Sequence, residues 1–237
     1  MKAGIFAAGR GRRLRSPGNP LKPLVRVRGR ALIEHVLHAM AGAAATEVVI
    51  IINEDSLAVR DQVTKSDWPF ALRWIVESTP SSMHSFLRLV EALAATGDLG
   101  PFLLSTVDTV ATGNVYARFF AEAQSSNAAV TLALTSPGDD DKPLLVRLAS
   151  DASHIVAIGR TAEPSKYATA GIYAVRSSIL READPARRDG IDALRIFLDR
   201  LLERGYRLAG IPIAQTIDVD RPADIDTAEA FLGSGTP

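Results

Sequence analysis

Apolar residues fall into short runs separated by longer amphipathic stretches. The runs Ala3 to Ala7, Val48 to Ile52, Leu72 to Val76 and Phe102 to Val107 have the length and composition of buried strands. Helical spacing follows each of them, at Ala31 to Ala43, Ser56 to Thr64, Ser82 to Ala95 and Val115 to Ser125. Strands alternating with helices predict a mainly parallel sheet covered on both faces, because parallel neighbours must be joined by crossovers. Ala128 to Leu134 adds a further strand.

The rhythm changes after Gly138, Asp139, Asp140 and Asp141, an acidic run that reads as a solvated turn. Extended candidates at Leu144 to Leu148, Ile155 to Ile158 and Ala168 to Val175 have little helix between them, which predicts an antiparallel excursion grafted on the sheet. A helix at Ile191 to Arg204, a strand at Arg207 to Ile213, an extended piece at Thr216 to Val219 and a helix at Pro222 to Leu232 complete the pattern. The expected architecture is α/β. It consists of one Rossmann-like domain over residues 1–232, with a mixed, mainly parallel central sheet and a disordered tail at 233–237.

Composition narrows the function. The 237 residues, 47% of them hydrophobic, suffice for one full core. Twenty-seven basic residues balance twenty-seven acidic ones, so no global field draws the chain to nucleic acid or to an anionic membrane, and any anion site must be built locally. The absence of cysteine excludes disulfides and thiolate metal sites. No apolar run approaches the roughly 20 residues of a membrane-spanning helix, and the N-terminus has no signal-peptide pattern. A cytoplasmic protein is expected, with assembly into a homo-oligomer left open.

The first loop carries the clearest chemistry. After the first strand the chain reads Ala7, Ala8, Gly9, Arg10, Gly11, Arg12, Arg13, Leu14, and then Lys22, Pro23, Leu24. Glycines let a backbone turn tightly and present N–H groups to an anion, and cationic side chains are close in sequence. The spacing fits neither a P-loop nor a dinucleotide fingerprint, which disfavours a nicotinamide-dependent oxidoreductase. Asp108 ends the run from Phe102, at the strand end where open parallel sheets hold their ligands; capping the next helix is its alternative role. Asp218 and Asp220 are two apart in extended chain and share a side. Asp220 competes as an N-cap ahead of Pro222, so Asp218 is preferred as a ligand, while Asp224 reads as a first-turn residue. Carboxylates without cysteine or clustered histidine suit a hard cation, Mg²⁺.

The segment from Lys2 to Leu37 resembles the opening of the sugar-phosphate nucleotidyltransferase superfamily, whose NTP transferase domain is a GT-A-like Rossmann fold. The match runs through Ala7, Ala8, Gly9, Gly11, Arg13, Leu14, Lys22, Pro23, Leu24, Gly29, Leu32 and Ile33. The resemblance implies that Ala7, Ala8, Gly9, Gly11, Arg13 and Lys22 bind nucleotide, with Arg13 on the β- and γ-phosphates and Lys22 on the α-phosphate as the catalytic pair. Ser82, or Ser81, stands where the family touches base and ribose, with an N-cap as the alternative role. Thr169, Ala170, Gly171, Ile172 and Tyr173 resemble the family's acceptor strand, which implies acceptor contacts at Thr169 and Gly171. The metal ligands implied are Asp108 with Asp218 or Asp220.

The implied reaction joins a nucleoside monophosphate from a nucleoside triphosphate to a small phosphorylated acceptor, a sugar 1-phosphate first, with release of pyrophosphate. Val107 stands where the family commonly has glycine, and the family's Glu-Lys-Pro triplet survives only as Glu163, Pro164, Ser165 and Lys166. These departures motivate one alternative, a nucleotide-sensing protein of the same fold with little catalytic activity.

Overall fold

The computed structural model describes residues 1–9, 14, 20–137 and 143–234. Strand β1 (Lys2–Ala7) is followed by a 3-10 turn at Lys22–Leu24, the short ribbon β2 (Arg26–Val27) and β3 (Arg30–Ala31), and helix α1 (Leu32–Gly42). Then come β4 (Glu47–Ile52), α2 (Leu57–Val63), β5 (Ala71–Val76), α3 (Ser82–Ala94), β6 (Phe102–Thr106), the two-residue β7 (Thr109–Val110), α4 (Val115–Gln124) and β8 (Val130–Thr135). The second half contains β9 (Val146–Leu148), β10 (Ile155–Ile158), β11 (Ala168–Val175), α5 (Ala183–Arg188), α6 (Leu194–Glu203), β12 (Leu208–Pro212), β13 (Ile217–Asp218) and α7 (Pro222–Ser234).

Seven strands form the central sheet in the order β12-β8-β11-β6-β1-β4-β5. All neighbouring pairs are parallel except those of β11, which runs antiparallel to both β6 and β8. The expected mixed, mainly parallel sheet is therefore present. Of the expected excursion, only β9 and β10 pair separately, as a two-stranded antiparallel ribbon. The third piece, β11, lies inside the main sheet, because its eight residues are apolar enough to be covered on both faces.

Period-two alternation sorts the core into two layers. Ile5, Val48, Ile50, Ile52 and Leu103 meet α1 and α4 through Ile33, Leu37, Met40 and Phe119. On the other face, Val49, Ile51 and Leu104 meet α3 and α6 through Phe86, Leu89, Leu93 and Phe197. Helix α1 presents Leu32, Ile33, Val36, Leu37 and Met40 to the core, and Glu34 reaches back to accept the Ala31 N–H at 3.0 Å. A third cluster gathers Leu14, Val25, Val27, Leu32, Val110, Val219 and Ala228, residues from both ends and the middle of the chain.

Helical structure from Ser177 to Arg188 was not expected, since Pro185 and the surrounding charges mask its short apolar stripe. Helix α6 begins at Leu194 rather than at Ile191. The expected tail opens within the last residues of α7, and Asp139, Asp140, Asp141 and residues 235–237 lie outside the described residues. Among the described residues no helix is long and apolar enough to cross a membrane.

Leu32 starts α1 and is fully buried in the third cluster. Leu32→Ala is expected to cost about 2–5 kcal/mol. Thermal denaturation should register this as a loss of roughly 4–20 °C in Tm.

Candidate active site

Chain order reverses between β1 and β6. From β1 the chain moves outward through β4 and β5, then returns to place β6 on the other side of β1. Open α/β sheets bind ligands beyond the strand ends at such a switch point. Antiparallel β11 brings its N-terminal end to the same crevice, beside the C-terminal end of β6. Ala7, Ala8 and Gly9 leave β1 here, and Lys22 returns to it on the 3-10 turn. Below the turn the Asn53 amide donates to the Ala8 carbonyl at 3.2 Å, and the Ser56 hydroxyl donates to Asn53 at 2.7 Å. Gly11 and Arg13, with Arg10 and Arg12, lie outside the described residues.

Lys22 is the hub. Its ammonium donates to Asp108 Oδ2 and to Asp220 Oδ1, joining three segments distant in sequence. The lysine side chain is only 10% exposed, so these carboxylates must supply what water cannot. Burial alone would lower the Lys22 pKa, but Asp108 and Asp220 outweigh it, and the net shift is upward. Burial likewise acts to raise the Asp108 pKa, and the Lys22 charge and hydrogen bond overcome it, so Asp108 is held below the ordinary carboxylate range. The Lys22–Asp108 pair is ionised.

Asp218 and Asp220 diverge. Strand β13 pairs antiparallel with β7 and sets Asp218 opposite Thr109, whose hydroxyl donates to Asp218 Oδ1 at 2.9 Å. The chain then leaves the strand and starts α7. Asp224 Oδ2 accepts the N–H groups of Asp220 and Arg221 at 2.9 and 2.7 Å, which fixes the entry to the helix. The capping carboxylate is thus supplied by Asp224, and Asp220 is turned to Lys22. The expected shared side does not persist, because extended chain ends at Asp218. Among the described residues no three His, Asp or Glu side chains form a metal-holding group, so Asp108, Asp218 and Asp220 do not converge as one nest.

The acceptor candidates sit on a bulge. Thr169 pairs with Leu134 and Tyr173 with Leu132, so the β11 segment between them outruns its partner strand. Gly171, at φ +70°, occupies this bulge, and a Cβ there would stand 2.5 Å from both the Thr106 and the Thr109 hydroxyls. Those hydroxyls are 2.7 Å apart, and Thr109 also reaches the Ala170 carbonyl at 3.3 Å. Thr106 and Thr109 escaped sequence reasoning. Their placement on both sides of Asp108 was the available signal. Ser82 has a structural partner, since its hydroxyl accepts the Leu194 N–H at the start of α6 at 3.0 Å, while Ser81 caps α3.

Asp218 is exposed, yet the protein around it, followed by the charges of Asp108 and Asp220, pushes its pKa up to about 7. An unfolded aspartate titrates near 4, so between about pH 4 and 7 the folded chain binds the extra proton, and this group's contribution to stability falls as pH rises. Asp218→Asn removes that contribution. Its Tm should exceed that of the wild type at pH 8, by an amount on the order of a few °C, and match it near pH 4. Equal differences at both pH values would contradict the raised pKa.

A profile of the MobA-like NTP transferase domain matches residues 3–176. A CMP-5'-(3-aminopropyl)phosphonate synthase of Streptomyces rubellomurinus is 30% identical over 216 residues, covering 89% of this chain and 32% of that protein. The bifunctional protein GlmU of Desulfotalea psychrophila is 31% identical over 187 residues, covering 76% of this chain and 52% of GlmU. The chain thus spans about a third to a half of the length of these relatives. Among solved structures, an inositol-1-phosphate CTP transferase from T. maritima superimposes with a TM-score of 0.77 at 16% identity, over 100% of this chain and 97% of that one. UTP-bound UGPase from Acinetobacter baumannii gives 0.78 at 17% identity, over 100% and 94%. These structural likenesses establish the common fold, and the sequence match over residues 3–176 establishes descent: the chain belongs to the MobA-like NTP transferase family, a family of nucleotidyltransferases.

Proposed function

We propose that the chain transfers a nucleoside monophosphate from a nucleoside triphosphate to a small phosphorylated acceptor, of which a sugar 1-phosphate is the first candidate. The observation that carries this reading is Lys22 held between Asp108 and Asp220 at the switch point of a nucleotidyltransferase fold. A phosphate oxygen of the acceptor attacks the α-phosphorus. The bond from that phosphorus to the bridging oxygen breaks, and pyrophosphate leaves with the electron pair. The acceptor is already anionic, so no protein nucleophile is required, and catalysis rests on positioning and charge. Gly9 and the amides after β1 hold phosphate, Arg13 pairs with the β- and γ-phosphates, and Lys22 faces the α-phosphate. The name of the Streptomyces relative refers to a cytidine nucleotide, which makes CTP the first triphosphate to test.

The donor set fits Mg²⁺. Lys22 is one ammonium against the carboxylates of Asp108, Asp218 and Asp220, which leaves a deficit of positive charge. Mg²⁺ takes one or two carboxylates and completes its shell with water and phosphate oxygens. Asp108 and Asp220, already aimed at one cation, would hold it. The geometry favours Asp220 over Asp218 in this role, contrary to the expectation from sequence, because Asp218 is drawn off by Thr109. When bound, the ion neutralises charge developing on the phosphates. Lys22 cannot serve both carboxylates and the α-phosphate at once, so a cation held by Asp108 and Asp220 would leave Lys22 to the substrate.

The direct test is pyrophosphate release from four triphosphates against a panel of sugar phosphates and other phosphate or phosphonate acceptors. No release in any combination would favour the nucleotide-sensing alternative. Lys22→Ala should lower kcat on the order of 10²- to 10³-fold. The same variant should bind Mn²⁺ more tightly than wild type without nucleotide, as followed by electron paramagnetic resonance, since it removes the competing cation. Weaker Mn²⁺ binding in Lys22→Ala would sink the proposed exchange.

A further inference from the structure

Asp218 has one carboxylate oxygen committed and one open. Oδ1 accepts the proton of Thr109, a residue only 1% exposed. Among the described residues Asp218 Oδ2 has no hydrogen-bond or ion-pair partner, and the cationic side chain nearby, Lys22, pairs with Asp108 and Asp220. The Thr109 hydroxyl also lies 3.3 Å from the Ala170 carbonyl and beside Gly171, so the tether of Asp218 is packed against β11. Asp218 is therefore an exposed carboxylate beside the Lys22 group but hydrogen-bonded to Thr109, a buried residue packed against β11.

Once ionised, the Asp218 carboxylate only accepts hydrogen bonds and repels phosphoryl oxygens, and a cationic donor beside it favours that charged form. The partner it suits is a donor group on the part of the acceptor away from its phosphate. We infer that Asp218 is the specificity-determining carboxylate of the acceptor side: positioned by Thr109, it receives a hydroxyl or ammonium of the acceptor, and it does not ligate the metal. This rests on the nucleotidyl-transfer reading, with β11 beside the acceptor. Thr109 acts through Asp218 and touches no substrate.

The experiment compares wild type, Asp218→Asn, Asp220→Asn, Thr109→Val and Thr109→Ser with three acceptors: glucose 1-phosphate, 2-aminoethyl phosphate and ethyl phosphate, the last lacking a donor. Asp218→Asn should raise KM for the donor-bearing acceptor about 10- to 100-fold, as expected when a hydrogen bond to a charged group is lost. The loss should be smaller with ethyl phosphate, which offers no donor to Asp218, than with the donor-bearing acceptor, and KM for the triphosphate should move less than KM for that acceptor. If the group read is an ammonium, the loss falls on 2-aminoethyl phosphate; if it is a hydroxyl, on glucose 1-phosphate. Thr109→Val should reproduce the pattern and Thr109→Ser largely restore it, which a merely structural threonine would not do. Should the valine variant fail to fold, Asp218→Asn and Thr109→Ser carry the test.

Mn²⁺ binding without nucleotide provides a readout independent of turnover. Asp220→Asn should weaken it by about tenfold or more, while Asp218→Asn stays within about threefold. Metal binding lost equally in both variants, or an equal fall in kcat for all three acceptors in Asp218→Asn, would overturn the inference. Wild type inactive with every triphosphate and acceptor would instead remove the nucleotidyl-transfer reading beneath it.

Discussion

The ammonium of Lys22 must be paired because it is almost out of water. A buried charge left alone costs several kcal/mol, and breaking an existing buried pair costs about 3–5 kcal/mol. That requirement draws together the turn after β1, the end of β6 and the segment before α7, which lie 86 and 198 positions from Lys22. The third apolar cluster unites the same three regions through Val25, Val110 and Val219. Its side chains give the polar hub a dry floor. Rigidity there holds the carboxylates near one cation when their mutual repulsion would separate them.

The C-terminal segment thus contributes Asp220 to the Lys22 group, although the family match ends at residue 176. Helix α7 is seated by Glu229, which accepts the Arg28 N–H at 2.8 Å, and by Asp224 at its start. Both contacts act on backbone, so they fix where the chain runs before any side chain is chosen. Asp220 and Asp218 then acquire different partners from a single change of direction between them.

What could be read in the sequence follows from locality. Strand β1, the Lys22 turn, Asp108 at a strand end and the proline-led start of α7 are written in consecutive residues, so pattern and chemistry coincide there. The position of β11 was not legible. Its composition says buried strand, but the choice between a separate ribbon and the centre of the sheet depends on pairing with β6 and β8, far away in sequence. The contact of Asp220 with Lys22 was not legible for a related reason: the two are 198 positions apart, and Asp224, four residues on, accepts the N–H groups at the start of α7. Ser82 illustrates the converse, where a resemblance marks a hydroxyl that the fold also uses to cap α6.

The antiparallel strand gives the crevice two sides of different construction. Parallel strands deliver their C-terminal ends to the crevice, and with them the turn amides and acidic side chains suited to a triphosphate and a cation. A strand running the other way delivers its N-terminal end, Thr169 to Gly171, at the same height. The bulge then lets the backbone approach Thr106 and Thr109 closely, which only glycine at a positive φ permits. The two sides of the crevice are consequently built from different backbone directions and meet at Thr109. The bulge and β13 can therefore vary on one side while Lys22, Asp108 and Asp220 stay in register on the other.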